Sequence, residues 1–120
     1  MKNLKVFYGY DAYSAYVDKV SVTELTETPT LVFTSNSINM DMHVECKGWR
    51  TAVNRFKKQF SDVSENVSRW IDVISDGCEG GVFSERYRET PSDYYMYSVE
   101  EVGENLFYIY LNIAGWYISH

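Results

Sequence analysis

Helical periodicity marks one segment of the chain, Gly48–Ser75, which reads GWRTAVNRFKKQFSDVSENVSRWIDVIS. In the first part of this segment apolar residues return every three or four positions, the spacing that places side chains on one face of a helix. These residues are Trp49, Ala52, Val53, Phe56 and Phe60. We therefore predict a helix that turns this face to the core.

A second helical run completes the segment. Its apolar positions are Val63, Val67, Trp70, Ile71 and Ile74. Asp62, followed by Glu65, resembles a capping box at the start of a helix, and Gly77 is a typical stop signal. The segment is predicted to form two short helices, or one bent helix, with Phe56 and Trp70 buried against a sheet.

The clearest strand pattern in the chain covers Ile38–Lys47, where apolar and polar residues alternate. The inward set is Ile38, Met40, Met42, Val44 and Cys46, and the outward set is Asn39, Asp41, His43, Glu45 and Lys47. A period of two is typical of a strand with one buried face. We expect a half-buried strand of an antiparallel sheet, with His43 exposed to solvent.

Other strands are predicted from β-branched and aromatic residues between turn signals. They cover Leu4–Tyr8, Thr30–Thr34, Val82–Tyr87, Tyr94–Val102 and Leu106–Ile118. Gly103-Glu104-Asn105 predicts a hairpin between the last two strands. The continuous apolar run from Leu106 indicates a central strand covered on both faces, or one that bends at Gly115.

Three further stretches connect the predicted helices and strands. Residues 12–22 fit both a helical stripe and alternation, and strand is favoured because Val and Tyr suit a pleated surface. Glu24–Pro29 is predicted to be a turn, since Pro29 has no N–H to donate to a ladder. Asp76–Gly81 is predicted to be a loop.

The fold class follows from these elements. We predict a single α+β domain over residues 1–120, in which a two-helix insert packs on one face of an antiparallel sheet made of a meander and a C-terminal hairpin. The basic start of the chain is followed by an interrupted apolar run, which predicts neither a signal peptide nor a membrane span. A cytoplasmic protein is expected.

Charge is distributed unevenly along the chain, whose formal net charge is −6. The first predicted helix carries Arg50, Arg55, Lys57 and Lys58, whereas residues 61–120 carry eleven acids against three arginines. Long-range repulsion from the acids disfavours direct binding of nucleic acid. A basic protein or nucleoprotein complex is the expected partner.

Catalytic and metal-binding patterns are weak. His43 stands between Asp41 and Glu45, but alternate strand residues are about 6.5 Å apart, too far to converge on one ion unaided. Two histidines and isolated serines do not form a triad, and the glycines around Gly80 lack the residues of a phosphate loop. We predict no catalytic residue, metal or cofactor, and an enzyme is unsupported. Whether Cys46 and Cys78 pair is left open.

Tyrosines and acids alternate near the C-terminal hairpin. The partner-binding residues that we predict are Asp93, Tyr94, Tyr95, Tyr97, Glu100 and Glu101. Tyrosine and methionine are enriched in protein interfaces, and flanking carboxylates favour a basic partner. The alternative interpretation is that some of these tyrosines lie in the core.

The segment Ser92–Glu101, SDYYMYSVEE, resembles the small acidic inhibitors that bacteriophages encode, anti-CRISPR proteins among them. This resemblance implies a protein-binding inhibitor that blocks a host nucleic-acid-binding complex stoichiometrically, in the cytoplasm of the host cell. It is a likeness of type, and it carries over no functional residue.

Two alternative functions remain open. The basic helix residues Arg50, Arg55, Lys57 and Lys58 would suit a nucleic-acid-binding module. A small-ligand-binding domain would instead use a pocket between the helices and the sheet, lined by Tyr108, Tyr110 and Trp116.

Overall fold

Six strands pair into a mixed sheet across residues 3–74 and 82–120, the residues that the computed structural model describes. The strands are β1 Lys5–Tyr8, β2 Thr30–Phe33, β3 Ser37–Glu45, β4 Val82–Arg88, β5 Tyr94–Gly103 and β6 Leu106–Ala114. Their order in the sheet is β1-β2-β3-β6-β5-β4, and every neighbouring pair is antiparallel except β1 with β2. The α+β class is confirmed, and the parallel β1 is an addition to the predicted meander.

The described helices lie between β1 and β2, between β3 and β4, and after β6. They are α1 Tyr10–Lys19, α2 Val22–Glu27, α3 Trp49–Phe60 and α4 Glu65–Trp70, with short 3₁₀ helices at Ile71–Val73 and Gly115–Ile118. The two-helix insert is confirmed as α3 and α4. Within the described residues, no helix has the length and apolar character needed to cross a bilayer. The loop predicted over Asp76–Gly81 lies outside those residues.

The hydrophobic core lies between α3, α4 and one face of the sheet, which we call the core face. Phe56 and Phe60 are fully buried, as the helical stripe predicts. They belong to one buried cluster with the inward residues of the central strands, which are Ile38, Met40, Met42, Val44, Phe107, Ile109, Leu111 and Ile113. The alternation predicted for β3 is therefore correct, and its outward residues lie on the opposite face.

The start of the second helix differs from the prediction. Ser64, and not Asp62, is the N-cap of α4, and its Oγ accepts a hydrogen bond from the Val67 N–H at 3.2 Å. A serine cap satisfies an amide that would otherwise lack a partner at the helix start. Trp70, at the other end of α4, is half-buried against the core rather than fully buried.

The end of the last strand also differs. β6 lies between β3 and β5, as expected for a central strand, but it ends at Ala114 rather than Ile118. Gly115 has φ +63°, a conformation that side-chain-bearing residues rarely adopt, and the chain then enters a 3₁₀ helix. A Cβ at Gly115 would also collide with the Ser92 carbonyl oxygen and with Asp93 Oδ1, so this bend requires glycine.

Residues 10–27 form two helices where the sequence predicts a strand and a turn. The favoured strand over residues 12–22 is wrong, because Tyr10–Lys19 forms α1, and the predicted turn over Glu24–Pro29 is largely α2. Aromatic β-propensity reflects packing on a sheet, and α1 meets that need by lying on one. Phe7 of β1 contacts the rings of Tyr13 at 5.7 Å and Tyr16 at 5.0 Å.

The helices α1 and α2 lie on the face opposite α3, and they change the surroundings of β3. Asp41 and His43 are half-buried beneath them, not exposed as predicted. Lys57, on α3 at the other side of the sheet, is expected from the helical phase to be exposed, but it is partly buried and its ammonium group pairs with Asp72 at 3.4 Å. Alternation therefore predicted the directions of the β3 side chains but not their exposure.

Replacing Phe56 by alanine tests the phase of α3. Because Phe56 is fully buried, Phe56→Ala should lower the free energy of unfolding by about 3 to 5 kcal/mol. Lys58→Ala, an exposed change on the same helix, should have almost no effect. Urea unfolding midpoints of the two variants measure the difference. Equal midpoints would show that the helical phase is wrong.

Candidate protein-binding surface

Strand alternation separates the predicted partner-binding residues. Tyr94 and Glu100 lie on the face of β5 opposite the core, whereas Tyr95 and Tyr97 point to the core face. Tyr97 is only 3% exposed and packs in the core. Residues that are adjacent in the sequence therefore belong to different surfaces.

The first of these surfaces is the β5–β6 half of the sheet face opposite the core face. Helix α1 packs on β1 and β2, and α2 packs on β3, so the described helices leave the β5 side of this face open. We define the open sheet face by its partly or fully exposed residues, Tyr94, Met96, Ser98, Glu100, Tyr110 and Asn112. In the register Met96 stands beside Asn112, and Ser98 beside Tyr110.

Several contacts fix the side chains of the open sheet face. The Arg88 guanidinium lies over the Tyr94 ring, 5.4 Å from its centroid. Asn112 Nδ2 donates to the Ile38 carbonyl at 3.4 Å across the β3–β6 pair. Glu100 is exposed at the end of the strand. The surface thus offers aromatic rings, a thioether and a carboxylate on rigid strands.

The second surface is an aromatic cleft of about 610 Å³ at the edge of the core face. It is lined by Trp70, Tyr87, Glu89, Thr90, Asp93, Tyr95, Trp116 and Tyr117. The Tyr117 hydroxyl donates to Glu89 Oε2 at 3.4 Å. Burial raises the pKa of Tyr117 to about 12, so this hydroxyl keeps its proton at neutral pH.

Asp93 joins the aromatic cleft to the β4–β5 turn. Its carboxylate accepts hydrogen bonds from the Thr90 hydroxyl at 2.6 Å and from the Trp116 N–H at 2.7 Å. These two bonds lower the pKa of Asp93, because they favour its charged form. The Asp93 carboxylate therefore stabilises the β4–β5 turn and the start of the C-terminal 3₁₀ helix.

The alternative nucleic-acid site has much of its charge engaged within the chain. Arg55 Nη1 donates to the Glu45 carbonyl at 3.0 Å, and Lys57 pairs with Asp72. Arg50 lies over the Trp49 ring at 5.1 Å. Lys58 is exposed. Three of the four basic side chains thus contact other groups of this chain, each a different one.

The predicted small-ligand pocket is not assembled as expected. Trp116 lies in the aromatic cleft, Tyr110 on the open sheet face, and Tyr108 in a cleft of about 300 Å³ beneath α1 and α2. That cleft also contains Asp41 and His43, so we call it the polar cleft. The three aromatic residues therefore do not line one pocket, although the rings of Tyr108 and Tyr110 contact each other at 6.2 Å.

Burial changes the titration of the polar cleft. It raises the pKa of Asp41, an effect that the Thr30 hydroxyl opposes by donating to Asp41 Oδ1 at 2.7 Å. It also lowers the pKa of His43, whose ring lies 4.8 Å from that of Tyr108. Among the described residues no group of three His, Cys, Asp or Glu side chains is placed to hold a metal ion.

No known protein family, curated protein or solved structure matches this chain. The surfaces themselves are therefore the basis for inferring a function. They include residues that sequence reasoning missed, namely Met96, Ser98 and Asn112 on the open sheet face. The signal was present, because alternation along the last two predicted strands already separates their faces.

The Asp41→Asn substitution tests the burial of the polar cleft. Because the folded-state pKa of Asp41 is raised, its charge opposes folding above that pKa, and this penalty disappears as pH falls below the unfolded value of about 4. Asn keeps an acceptor for Thr30, so the variant should be the more stable protein at neutral pH.

Urea midpoints of the two proteins at neutral pH and in acid measure this difference. The advantage of Asp41→Asn should shrink as pH falls. Asp18→Asn, on the exposed side of α1, controls for the loss of an acid. If Asp41→Asn were less stable than the unmodified protein at neutral pH, the burial assigned to the Asp41 carboxyl would be contradicted.

Proposed function

We propose that the protein binds a larger, basic protein or nucleoprotein complex through the open sheet face and inhibits it. The observation that supports this most is the half of the opposite face that the described helices leave uncovered. Tyr94, Met96 and Tyr110 project from this half as partly exposed apolar groups. Such groups gain from removal from water when a partner covers them.

The rigidity of the surface favours a protein partner. β5 and β6 are long strands in the interior of the sheet, so their side chains are held at fixed spacing. Little conformational entropy is lost when such a surface binds, and tyrosine rings add contact area at low entropic cost. A protein surface of matching shape could therefore bind without reorganising the sheet.

Charge favours a basic partner. Glu100, Glu101 and Glu104 are all exposed near the turn of the β5–β6 hairpin. Glu100 lies on the open sheet face, whereas Glu101 stands beside the core residue Phe107 and so points to the core face. Acids at the rim of an interface raise the rate of association with a positive surface. The formal net charge of −6 acts in the same direction.

Inhibition of a host complex is the most specific part of the proposal. It rests on the resemblance of Ser92–Glu101 to phage-encoded inhibitors, and it makes the protein a counter-defence protein of the anti-CRISPR type, acting in the host cytoplasm. A surface with acids at its rim that covered a basic groove would exclude nucleic acid from that groove and so achieve such inhibition. Nucleic-acid binding by α3 is the weaker alternative, because Arg55 and Lys57 are engaged within the chain.

Charge reversal at the hairpin tests this proposal. Glu100→Lys combined with Glu101→Lys should slow association with the captured partner by about tenfold or more, since steering depends on these charges. The partner is first recovered from bacterial lysate on immobilised protein and identified by mass spectrometry. Association rates are then measured by biolayer interferometry.

A matched variant separates location from net charge. Asp18→Lys combined with Asp62→Lys makes the same change in net charge at two exposed acids away from the hairpin, and it should alter the rate much less. Tyr110→Ala should speed dissociation instead. Recovery of no stoichiometric protein, or equal rates for the two double variants, would overturn the proposal.

A further inference from the structure

The aromatic cleft is built around one central ring. Tyr117 contacts the rings of Trp70 at 4.7 Å, Trp116 at 5.1 Å, Tyr95 at 5.6 Å and Tyr87 at 6.3 Å. Each of these rings is close to perpendicular to Tyr117, with interplanar angles between 77° and 87°. Tyr117 is 4% exposed, whereas Tyr87 and Trp116 are each 45% exposed. The cleft thus has a buried aromatic floor and exposed aromatic walls.

The electrostatics of this cleft favour a cation. Its lining includes the carboxyl groups of Glu89 and Asp93 and no lysine or arginine among the described residues. The faces of tyrosine and tryptophan rings also attract positive charge, and tryptophan does so most strongly. Both kinds of group therefore act in the same direction on a bound ligand.

The hydrogen-bonding capacity of the cleft narrows the kind of cation. Asp93 accepts hydrogen bonds from the Thr90 hydroxyl and the Trp116 backbone N–H, and Glu89 accepts one from Tyr117. The lone pairs left on these two carboxylates are the charged acceptors among the described lining residues, whereas the rings of Trp116 and Tyr87 offer no charged acceptor. A primary ammonium or a guanidinium group brings three to five N–H donors that need acceptors. A quaternary ammonium group has none, and it loses little when aromatic rings replace water around it.

We propose that the aromatic cleft is a binding site for quaternary ammonium groups. The His120 ring stacks on one face of Trp116 at 4.4 Å, and the Tyr95 ring stacks on one face of Tyr87 at 5.2 Å. The other faces of Trp116 and Tyr87 contact the methyl groups, and Glu89 supplies the balancing charge. The site lies at the edge of the core face, on the other side of the sheet from the open sheet face. It is independent of the proposed function, and neither one requires the other.

Choline and its neutral analogue 3,3-dimethylbutan-1-ol form the matched ligand pair for a test, because they share a shape and differ in charge. Titration is followed through the indole N–H signals of the intact protein by NMR. Trp70 and Trp116 line the cleft, while Trp49 on α3 does not and serves as the internal reference. We expect choline to move the first two signals and leave the third in place.

The expected selectivity follows from the charge. Choline should bind at least about tenfold more tightly than the neutral analogue, as expected when several rings and a carboxylate act on one cation. Equal binding of the two ligands would overturn the proposal. So would the absence of any shift at about 10 mM choline, because even weak ligands of this size occupy a formed site at that concentration.

Variants connect the binding to named residues. Tyr87→Ala should weaken choline binding severalfold, whereas Tyr8→Ala, which removes an exposed ring from the end strand β1, should leave it unchanged. Glu89→Gln keeps the shape of the side chain and should also weaken binding. Spectra of each variant without ligand verify the fold. Unchanged affinity in both Tyr87→Ala and Glu89→Gln would overturn the assignment of the site.

A second ligand pair tests whether the natural ligand is a methylated lysine of a protein or a small quaternary amine. N-acetyl-trimethyllysine amide and N-acetyl-lysine amide differ only in methylation, and the first should bind more tightly. A trimethyllysine affinity above that of choline would identify a methylated protein side chain as the natural ligand, and the reverse order a small quaternary amine. Tightest binding by the unmethylated lysine would overturn the proposal, because it would show that the cleft prefers a cation with N–H donors.

Discussion

The pairing of β3 with β6 is the constraint on which the rest of the structure depends. Nine residue pairs join these strands, from Ser37 with Ala114 to Glu45 with Leu106. Because side chains alternate, a slip of one residue would move Met40 and its neighbours out of the core and the Asp41 carboxylate into it. The cost of burying that charge, added to the loss of the apolar cluster, holds the register.

This register gives similar residues different roles. Tyr97 points to the core face and is buried, Tyr110 lies on the open sheet face, and Tyr108 lines the polar cleft beneath α1 and α2. The difference arises because α3 and α4 cover the core face, whereas, among the described helices, α1 and α2 lie over β1–β3 and the adjoining part of β6 on the other face. A half-covered sheet leaves apolar surface exposed, and such surface commonly marks an interaction site.

The sequence predicted those elements whose apolar residues fit one period only. The residues around Phe56 fit the period of a helix and those of β3 fit the period of a strand, so α3 and the core residues of β3 were predicted correctly. Residues 12–22 fit either period, and the helix that forms there packs Tyr13 and Tyr16 against Phe7, a contact that no local pattern indicates. The aromatic cleft combines α4, β4, β5 and the C-terminal 3₁₀ helix, so no local pattern could reveal it.

Solvent access to the methionine methyl groups tests the two-sided sheet most directly. In protein labelled with ¹³C at these methyl groups, a soluble gadolinium chelate accelerates relaxation only where solvent reaches. Met96 should respond, because it is partly exposed on the open sheet face, while Met40 and Met42, at 0% and 1% exposure, should not. Protection of Met96 equal to that of Met40 would show that this face is covered and would contradict the account of the surface.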